Sequence, residues 1–517
     1  MKPGERLAVI DLGSNSFRLV VFLAGDGWWK RTDEIYEPVR IGEGLVASGE
    51  LGRDPIARAM ATLDVFAQFS RASGLDSGSI DAVATSAIRD AGNAQAFLRD
   101  ARERSQLPIR VLSREAEADY GYLAVVNSTT LSDGCVLDLG GGSMQLVRVA
   151  DRLATQTGSW QVGTVRMSER FLPANGPAKR RQLEALREHV AEQLAQAPWL
   201  DGAKGSGEAG RLVGIGGTVR NLAAAAQRAA GLPTFGVQGM VLDAQALDEL
   251  IARLAALPAA ERASVPGIKP NRADLILAGA VVVRAVLEAG GFDGLEATEA
   301  GLREGVFFER LLGGSERDRR RQPLFADVRR ASVLNLAGQY HFDSAHTRHV
   351  ATLALGMFDE LAALGLHDGD PRERELLWAA SMLHDIGMSV DYDDHHKHSR
   401  YLILNAGLPG FTPVEVAIIA QAARYHRKGM PDAGPMRALF GDGDQERLNR
   451  CAVLLRLAED LERSRDQLVR GTQLTADDEQ VELSLIADGE SLVPRWAANR
   501  ETELFARAFH RELAVAA

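Results

Sequence analysis

One pattern, written twice, constrains this chain more than any bulk property. In Val9-Ile10-Asp11-Leu12-Gly13-Ser14-Asn15-Ser16-Phe17-Arg18-Leu19-Val20-Val21 an apolar run stops at an acid and a turn, then resumes as a second apolar run. Val, Ile, Phe and Leu favour strands, and Gly13-Ser14-Asn15-Ser16 tolerates unusual backbone angles, so the stretch predicts a β-hairpin. The turn's free N–H groups and the Ser14 and Ser16 hydroxyls are suited to an anion. The pattern returns as Val136-Leu137-Asp138-Leu139-Gly140-Gly141-Gly142-Ser143-Met144-Gln145-Leu146-Val147, with Asp11 on Asp138, Gly13 on Gly140 and Ser16 on Ser143. Such self-similarity predicts an internal duplication with two facing anion loops.

The 517 residues exceed a single core and suggest three or four units, with 46% hydrophobic and 25% charged residues, as in ordinary globular chains. The two cysteines offer no disulfide framework, which suits the cytosol. No apolar run is long enough to span a bilayer, and the expected location is cytoplasmic. A net charge of −11 argues against nucleic acid as partner, so a polyanion would need a locally basic channel.

Further along, Asp81-Ala82-Val83-Ala84-Thr85-Ser86-Ala87-Ile88-Arg89 reads as a buried strand delivering Thr85, Ser86 and Arg89 to its carboxyl end, where ligands sit in α/β folds. Arg89 reads either as an anion ligand or as a solvated helix-end residue. Ile109-Arg110-Val111-Leu112-Ser113-Arg114-Glu115-Ala116-Glu117 is a short strand and an acid-rich helix start; acids there also satisfy the helix dipole. Arg211-Leu212-Val213-Gly214-Ile215-Gly216-Gly217-Thr218 is strand, glycine turn, then helix, which aims N–H groups at an anion. The absence of Gly-x-x-x-x-Gly-Lys-Ser/Thr excludes a P-loop ATPase.

These residues resemble the exopolyphosphatase and guanosine-pentaphosphate phosphohydrolase family, part of the actin, sugar-kinase and acetate-kinase superfamily. The resemblance implies a two-lobed α/β actin-like (ribonuclease H-like) ATPase fold, with lobes at 1–127 and 128–313. It implies an enzyme releasing orthophosphate from the end of inorganic polyphosphate, with removal of the 5′-phosphate of guanosine pentaphosphate as the alternative. Glu117 matches the family's catalytic base, although Arg114 and Ala116 depart from its motif and leave Glu115 as the fallback. Asp138 would be catalytic and hold Mg²⁺ or Mn²⁺, with Asp11 shaping the metal's water shell. Gly13, Ser14, Asn15, Ser16, Thr85, Arg89, Gly140, Gly141, Gly142, Ser143, Gly216, Gly217 and Thr218 would bind substrate. Gln145 stands where many members carry a metal-assisting Glu. Leu295-Glu296-Ala297-Thr298-Glu299-Ala300-Gly301-Leu302-Arg303-Glu304-Gly305 matches the family's closing Gly-Leu-Arg-Glu-Gly signature, read as ending the second lobe's sheet and as serving packing more than chemistry. A homodimer is expected by resemblance alone.

After a charged run, Ser315 to Pro323, read as a linker or polyanion rim, the texture turns helical and rich in histidine. His346 on one helix, His384-Asp385 on another and an acid at Glu459 or Asp460 resemble the HD-domain phosphohydrolases, implying an all-α HD-like domain over 314–468 with a possible additional divalent metal on His346, His384, Asp385 and Asp460. That resemblance opens a rival in which the helical domain does the chemistry and the lobes bind polyphosphate. His395, His398 and His426 read as further ligands or a basic phosphate patch. The tail, 469–517, reads as a small α/β cap with two strands and a helix from Arg500 to Ala516.

Overall fold

The computed structural model describes residues 1–200, 210–313, 324–340 and 343–516; the charged run from Ser315 to Pro323 lies outside them. The chain divides into two compact units, Met1–Val328 and Arg329–Ala517.

The first unit holds two sheets. One comprises β1 (Arg6–Leu12), β2 (Phe17–Ala24), β3 (Trp29–Glu37), β4 (Ile80–Ala84) and β5 (Ile109–Val111), in the order β3-β2-β1-β4-β5. The other comprises β6 (Gly134–Leu139), β7 (Met144–Ala150), β8 (Leu153–Trp160), β9 (Arg211–Ile215), β10 (Met240–Asp243) and β11 (Gly294–Ala297), in the order β10-β11-β9-β6-β7-β8. Without β10 the two orders are the same. In each an antiparallel three-strand meander joins parallel strands along the edge of its first strand.

Register carries the repeat to single residues. Asp11 lies opposite Arg18 and Asp138 opposite Gln145, and each turn closes with the glycine N–H donating to a serine carbonyl, Gly13 to Ser16 at 3.2 Å and Gly140 to Ser143 at 3.0 Å. One expectation about this sheet fails. The stretch containing β11 lies inside it, between β9 and the antiparallel β10, which takes the edge.

Both sheets are covered on both faces, which is why β1 and β6 are nearly continuous in apolar residues rather than alternating. Ala8, Ile10 and Leu12 pack with Phe66 and Phe97 of the helices Arg53–Ala72 and Ala94–Ser105. Leu7 and Val9 face the other way, into a cluster shared with Val136 and Val213 of the second sheet. The helices Arg114–Val126 and Leu302–Leu312 run through that shared cluster. They meet at Gly305, where a Cβ would stand 1.9 Å from the Tyr120 carbonyl oxygen, so only glycine permits the approach. Glu117 and Arg303 are thereby anchored in the layer between the sheets.

The second unit is a helical array followed by a small sheet. Its main helices are Ser344–Ala363, Pro371–Leu383, His395–Ala406, Pro413–Tyr425 and Asp444–Leu461. The sheet orders β12 (Val469–Ala476), β13 (Gln480–Ala487) and β14 (Glu512–Val515) in sequence. The C-terminal helix expected to reach Ala516 ends at Phe509. His510 takes a left-handed conformation, φ 55°, and caps it; Glu512–Val515 then gains backbone partners as a parallel neighbour of β13.

Candidate active site

The two turns and three neighbouring loops enclose a cavity of about 110 Å³ between the sheets of the first unit. That is below the roughly 300–1,000 Å³ of pockets enclosing whole drug-sized ligands, a size that suits the end of a longer molecule. Asp11, Gly13, Ser14, Asn15, Ser16, Thr85, Glu117, Asp138, Gly140, Gly141, Gly216 and Gly217 all line it.

Four predicted residues do not reach the lining. Gly142 is where the two turns touch: a Cβ there would stand 2.5 Å from Ser86 Oγ and 2.8 Å from Ser14 Oγ, and those hydroxyls are themselves 3.0 Å apart. Ser143 is buried behind the turn, accepting from Gln145 Nε2 at 2.9 Å. Thr218 is buried against Gly279. Arg89, expected to bind phosphate, instead grips Glu117, with its Nη1 2.7 Å from Glu117 Oε2 and 3.1 Å from the Leu112 carbonyl. A buried carboxylate attracts the nearest guanidinium more strongly than an open cleft does, because neither charge is fully solvated.

The cations facing the cavity are others: Arg18, Arg220, Arg272 and Arg303. Sequence reasoning missed all four, though three of them had a signal. Arg18 stands opposite Asp11, Arg220 is in the first turn after Gly216-Gly217, and Arg303 is the central residue of the signature read as packing. Arg303 Nη1 lies 3.4 Å from Asp11 Oδ2. The close approach of Gly217 to the Arg272 guanidinium, 2.6 Å from a built Cβ, shows the glycine clearing room for that cation.

The two candidate bases separate cleanly. Ser113 caps the helix Arg114–Val126 by accepting from the Ala116 N–H at 3.1 Å. One turn in, Glu117 is buried and faces the cavity, while Glu115 is exposed. Burial raises the Glu117 carboxyl above its ordinary value; Arg89 pulls it back, and Asp11 and Asp90 push it up. Its Oε1 lies 3.5 Å from Ser143 Oγ.

Asp138 is raised to about 7, first by burial and then by the charges of Glu117 and Asp11. Among the described residues no side chain hydrogen-bonds or ion-pairs with its carboxylate. Asp11 is also raised by burial, against the pull of Arg303 and Arg18. Unpaired buried carboxylates are costly unless a cation or proton joins them. The donor set is all oxygen, which suits a hard cation such as Mg²⁺. The acids do not, however, converge as a ready-made three-ligand cluster.

Such convergence occurs in the second unit. Asp343 caps the helix that carries His346, and His384 and His426 end their helices while His395 begins one, so helix termini aim the rings at one point. Two groups have ligand atoms within 4.8 Å: His346, His384 and Asp385, and Asp385, His395 and His426. The acid that joins them is Glu459, correcting Asp460. Glu459 Oε2 lies 3.0 Å from His346 Nε2 and 3.2 Å from His384 Nε2, whereas Asp460 pairs with Arg463 at 3.3 Å. The helix Asp444–Leu461 turns the two acids about 100° apart, and sequence adjacency hid which one faces inward. His398 belongs to neither group. Burial opposes charging His384, but Asp385 and Glu459 outweigh it and lift it to about 9.

Comparison with known proteins identifies the family. Residues 29–313 match the Ppx/GppA phosphatase family and residues 328–502 match Ppx/GppA phosphatase, domain III. A guanosine-5′-triphosphate,3′-diphosphate pyrophosphatase of Vibrio vulnificus is 29% identical over 511 residues, 96% of this chain and 95% of that one. The crystal structure of an Aquifex aeolicus Ppx/GppA family member is similar with a TM-score of 0.50 and 28% identity, covering 60% of this chain and 98% of that one. An exopolyphosphatase from Cytophaga hutchinsonii shares the fold, with a TM-score of 0.55 at 21% identity over 60% of this chain and 99% of that one. The two family matches together span residues 29–313 and 328–502, and the chain belongs to the Ppx/GppA phosphatase family.

Proposed function

We propose that the cleft hydrolyses the terminal phosphoanhydride of a phosphate chain, and that its preferred substrate is guanosine-5′-triphosphate,3′-diphosphate. The observation that carries the hydrolytic reading is the pairing of Glu117, buried and with its pKa raised, with four arginines around a cavity sized for a chain end. The relative of matching length supports the guanosine substrate and reverses the order expected from sequence, where inorganic polyphosphate came first. Inorganic polyphosphate is the second reading, favoured by a cavity that encloses only the chain's end.

In this reading Arg18, Arg220, Arg272 and Arg303 spread the charge of the last phosphates, and the N–H groups of both glycine turns orient them. Asp138, with Asp11 beside it, would hold a divalent cation, which when bound neutralises phosphate oxygens. Arg89 fixes Oε2 of Glu117, while Oε1, which accepts only a long 3.5 Å hydrogen bond from Ser143 Oγ, orients a water and takes its proton. The water oxygen bonds to the terminal phosphorus, the bridging P–O bond breaks, and the proton passes from Glu117 to the departing phosphate. Positioning and charge neutralisation do most of the work, as phosphoryl transfer requires.

The helical unit we read as HD-like and able to hold metal, on the convergence of His346, His384, Asp385 and Glu459. Orthophosphate release measured side by side on guanosine pentaphosphate and on polyphosphate tests the substrate reading. A higher kcat/KM for the nucleotide is expected, and a preference for polyphosphate overturns the order. Loss of both activities in Glu117→Gln is expected, and their survival overturns the cleft as the reaction site.

A further inference from the structure

Arg89 holds Glu117 by a single bond, and what keeps it single lies on the other side of the guanidinium. An arginine beside a carboxylate tends to form a fork, two parallel N–H···O bonds that occupy both oxygens. Here Arg89 Nη1 donates to Glu117 Oε2 at 2.7 Å and shares that donor group with the Leu112 carbonyl at 3.1 Å. Arg89 Nε is buried with no hydrogen-bond partner among the described residues and lies 3.6 Å from Asp90 Oδ1. Asp90 thus pulls on the guanidinium by charge, against the pull of Glu117.

Asp90 is itself held from the side of the second sheet. It ends the short helix Ser86–Asp90 that follows β4, and its Oδ2 accepts from Arg166 Nη2 and from Gln161 Nε2, each at 3.0 Å. Arg166 belongs to the helix Thr164–Phe171, whose start is bonded to the second turn: the Thr164 N–H donates to the Gly140 carbonyl at 3.0 Å and the Val165 N–H to that of Gly141 at 2.8 Å. Arg166 Nε adds a bond to the Gly142 carbonyl at 2.9 Å, at the residue where the two turns touch. The side chains of Arg89, Asp90 and Arg166 are all mostly buried, so each charge depends on its neighbours.

We infer that Asp90 is a positioning residue: it keeps Arg89 from occupying both oxygens of Glu117, and its bond to Arg166 makes that setting depend on the two turns being seated on each other. With the turns together, Arg166 holds Asp90, Asp90 holds Arg89 to one contact, and Glu117 Oε1 is left for water. With the turns apart, Asp90 loses its anchor and Arg89 closes its fork over the base. The inference rests on the reading of Glu117 as the base and deepens it, naming what controls when the base is free. Asp90 does not line the cavity, so its effect falls on kcat and not on substrate binding.

The test uses the full chain and orthophosphate release from guanosine pentaphosphate and from polyphosphate at saturating Mg²⁺. Asp90→Asn keeps an oxygen for Arg166 and Gln161 and removes the charge. Its kcat should fall about 10–100-fold, a share of the 10²–10⁴-fold that a general base contributes, with KM within about twofold. Asp90→Ser, with the same expectation, serves if Asp90→Asn fails to fold by circular dichroism. In an Arg89→Met background no guanidinium remains to be held back, and Asp90→Asn should change kcat by less than about twofold. An equal loss in both backgrounds makes Asp90 a structural support only and overturns the inference, as does a loss confined to KM. Arg166→Gln should lower kcat, and should cost less when added to Asp90→Asn than when made in the wild type; equal cost overturns the link to the second turn. Glu117→Gln is measured beside these. Activity surviving in Glu117→Gln overturns the base and this inference with it, whereas activity lost in Glu117→Gln but kept in Asp90→Asn overturns this inference alone.

Discussion

The two candidate sites answer the problem of buried charge in opposite ways. The cleft of the first unit sets three carboxylates, Asp11, Glu117 and Asp138, against four arginines in a shared cavity, and leaves Asp138 without a side-chain partner. The cluster of the second unit draws imidazole nitrogens around Asp385 and Glu459 so closely that the acids sit well below the carboxylate range. Oxygen donors with loose spacing suit a hard cation that comes and goes with a phosphate substrate. Nitrogen donors locked by backbone carbonyls suit a cation held before any substrate arrives. The two donor sets thus suit different cations.

The sharpest way to break that contrast is Glu117→Gln. If the cleft is the hydrolytic site, kcat for orthophosphate release should fall by about 10²–10⁴-fold, the usual contribution of a general base. KM should change little, and the metal content of the helical unit should not change. The converse variant, His384→Ala, should lower the metal content of the helical unit while most orthophosphate release survives; the reverse pattern in the two variants would move the chemistry to the second unit.

A smaller effect tests the cleft's cation. With Asp138 at about 7, its carboxyl is largely protonated below that pH in the metal-free fold, and a cation must displace the proton. Mg²⁺ affinity measured by calorimetry should therefore rise with pH from 6 to 8 by roughly tenfold per proton displaced, levelling above 7, and lose this dependence in Asp138→Asn. The same shift links to stability. An acid whose folded value is raised binds more protons folded than unfolded, so the metal-free fold should lose stability as pH rises from about 4 to about 7. Melting of chelated protein across that window, wild type against Asp138→Asn, checks the sign.

The smallest effect falls on the scaffold. Gly305→Ala puts a methyl into the Tyr120 carbonyl and should cost about 1–3 kcal/mol in urea unfolding. Because those helices carry Glu117 and Arg303, activity should fall further than the loss of folded protein explains.

Much of the cleft was legible because its parts are local. A strand ending in Asp and a glycine turn can be recognised within a dozen residues, and writing it twice implied the matched strand orders of the two sheets. That Glu117 and Glu115 cannot both face the cavity was legible for a similar reason: two positions apart on a helix, they point about 200° apart, and one must face outward. The cleft arginines were not read as a set, since Arg18, Arg220, Arg272 and Arg303 come from four separate segments, and the local signals at three of them do not say that they share a cavity. The pairing of Arg89 with Glu117 was not legible, because the two lie 28 residues apart.

What the sequence by itself determined is the repeat: two apolar strand pairs, each tipped by an acid and a small-residue turn, and a histidine-rich helical region after them. Backbone propensity and side-chain size act over a few residues, so these features hold whatever the rest of the chain does. Only the tertiary structure decided which charges share a cavity, that Arg303 meets Asp11, and that Glu459 rather than Asp460 joins the histidines. Those pairings depend on burial, where a charge's energy is set by every neighbour within a few ångströms, and neighbours in space are far apart along this chain.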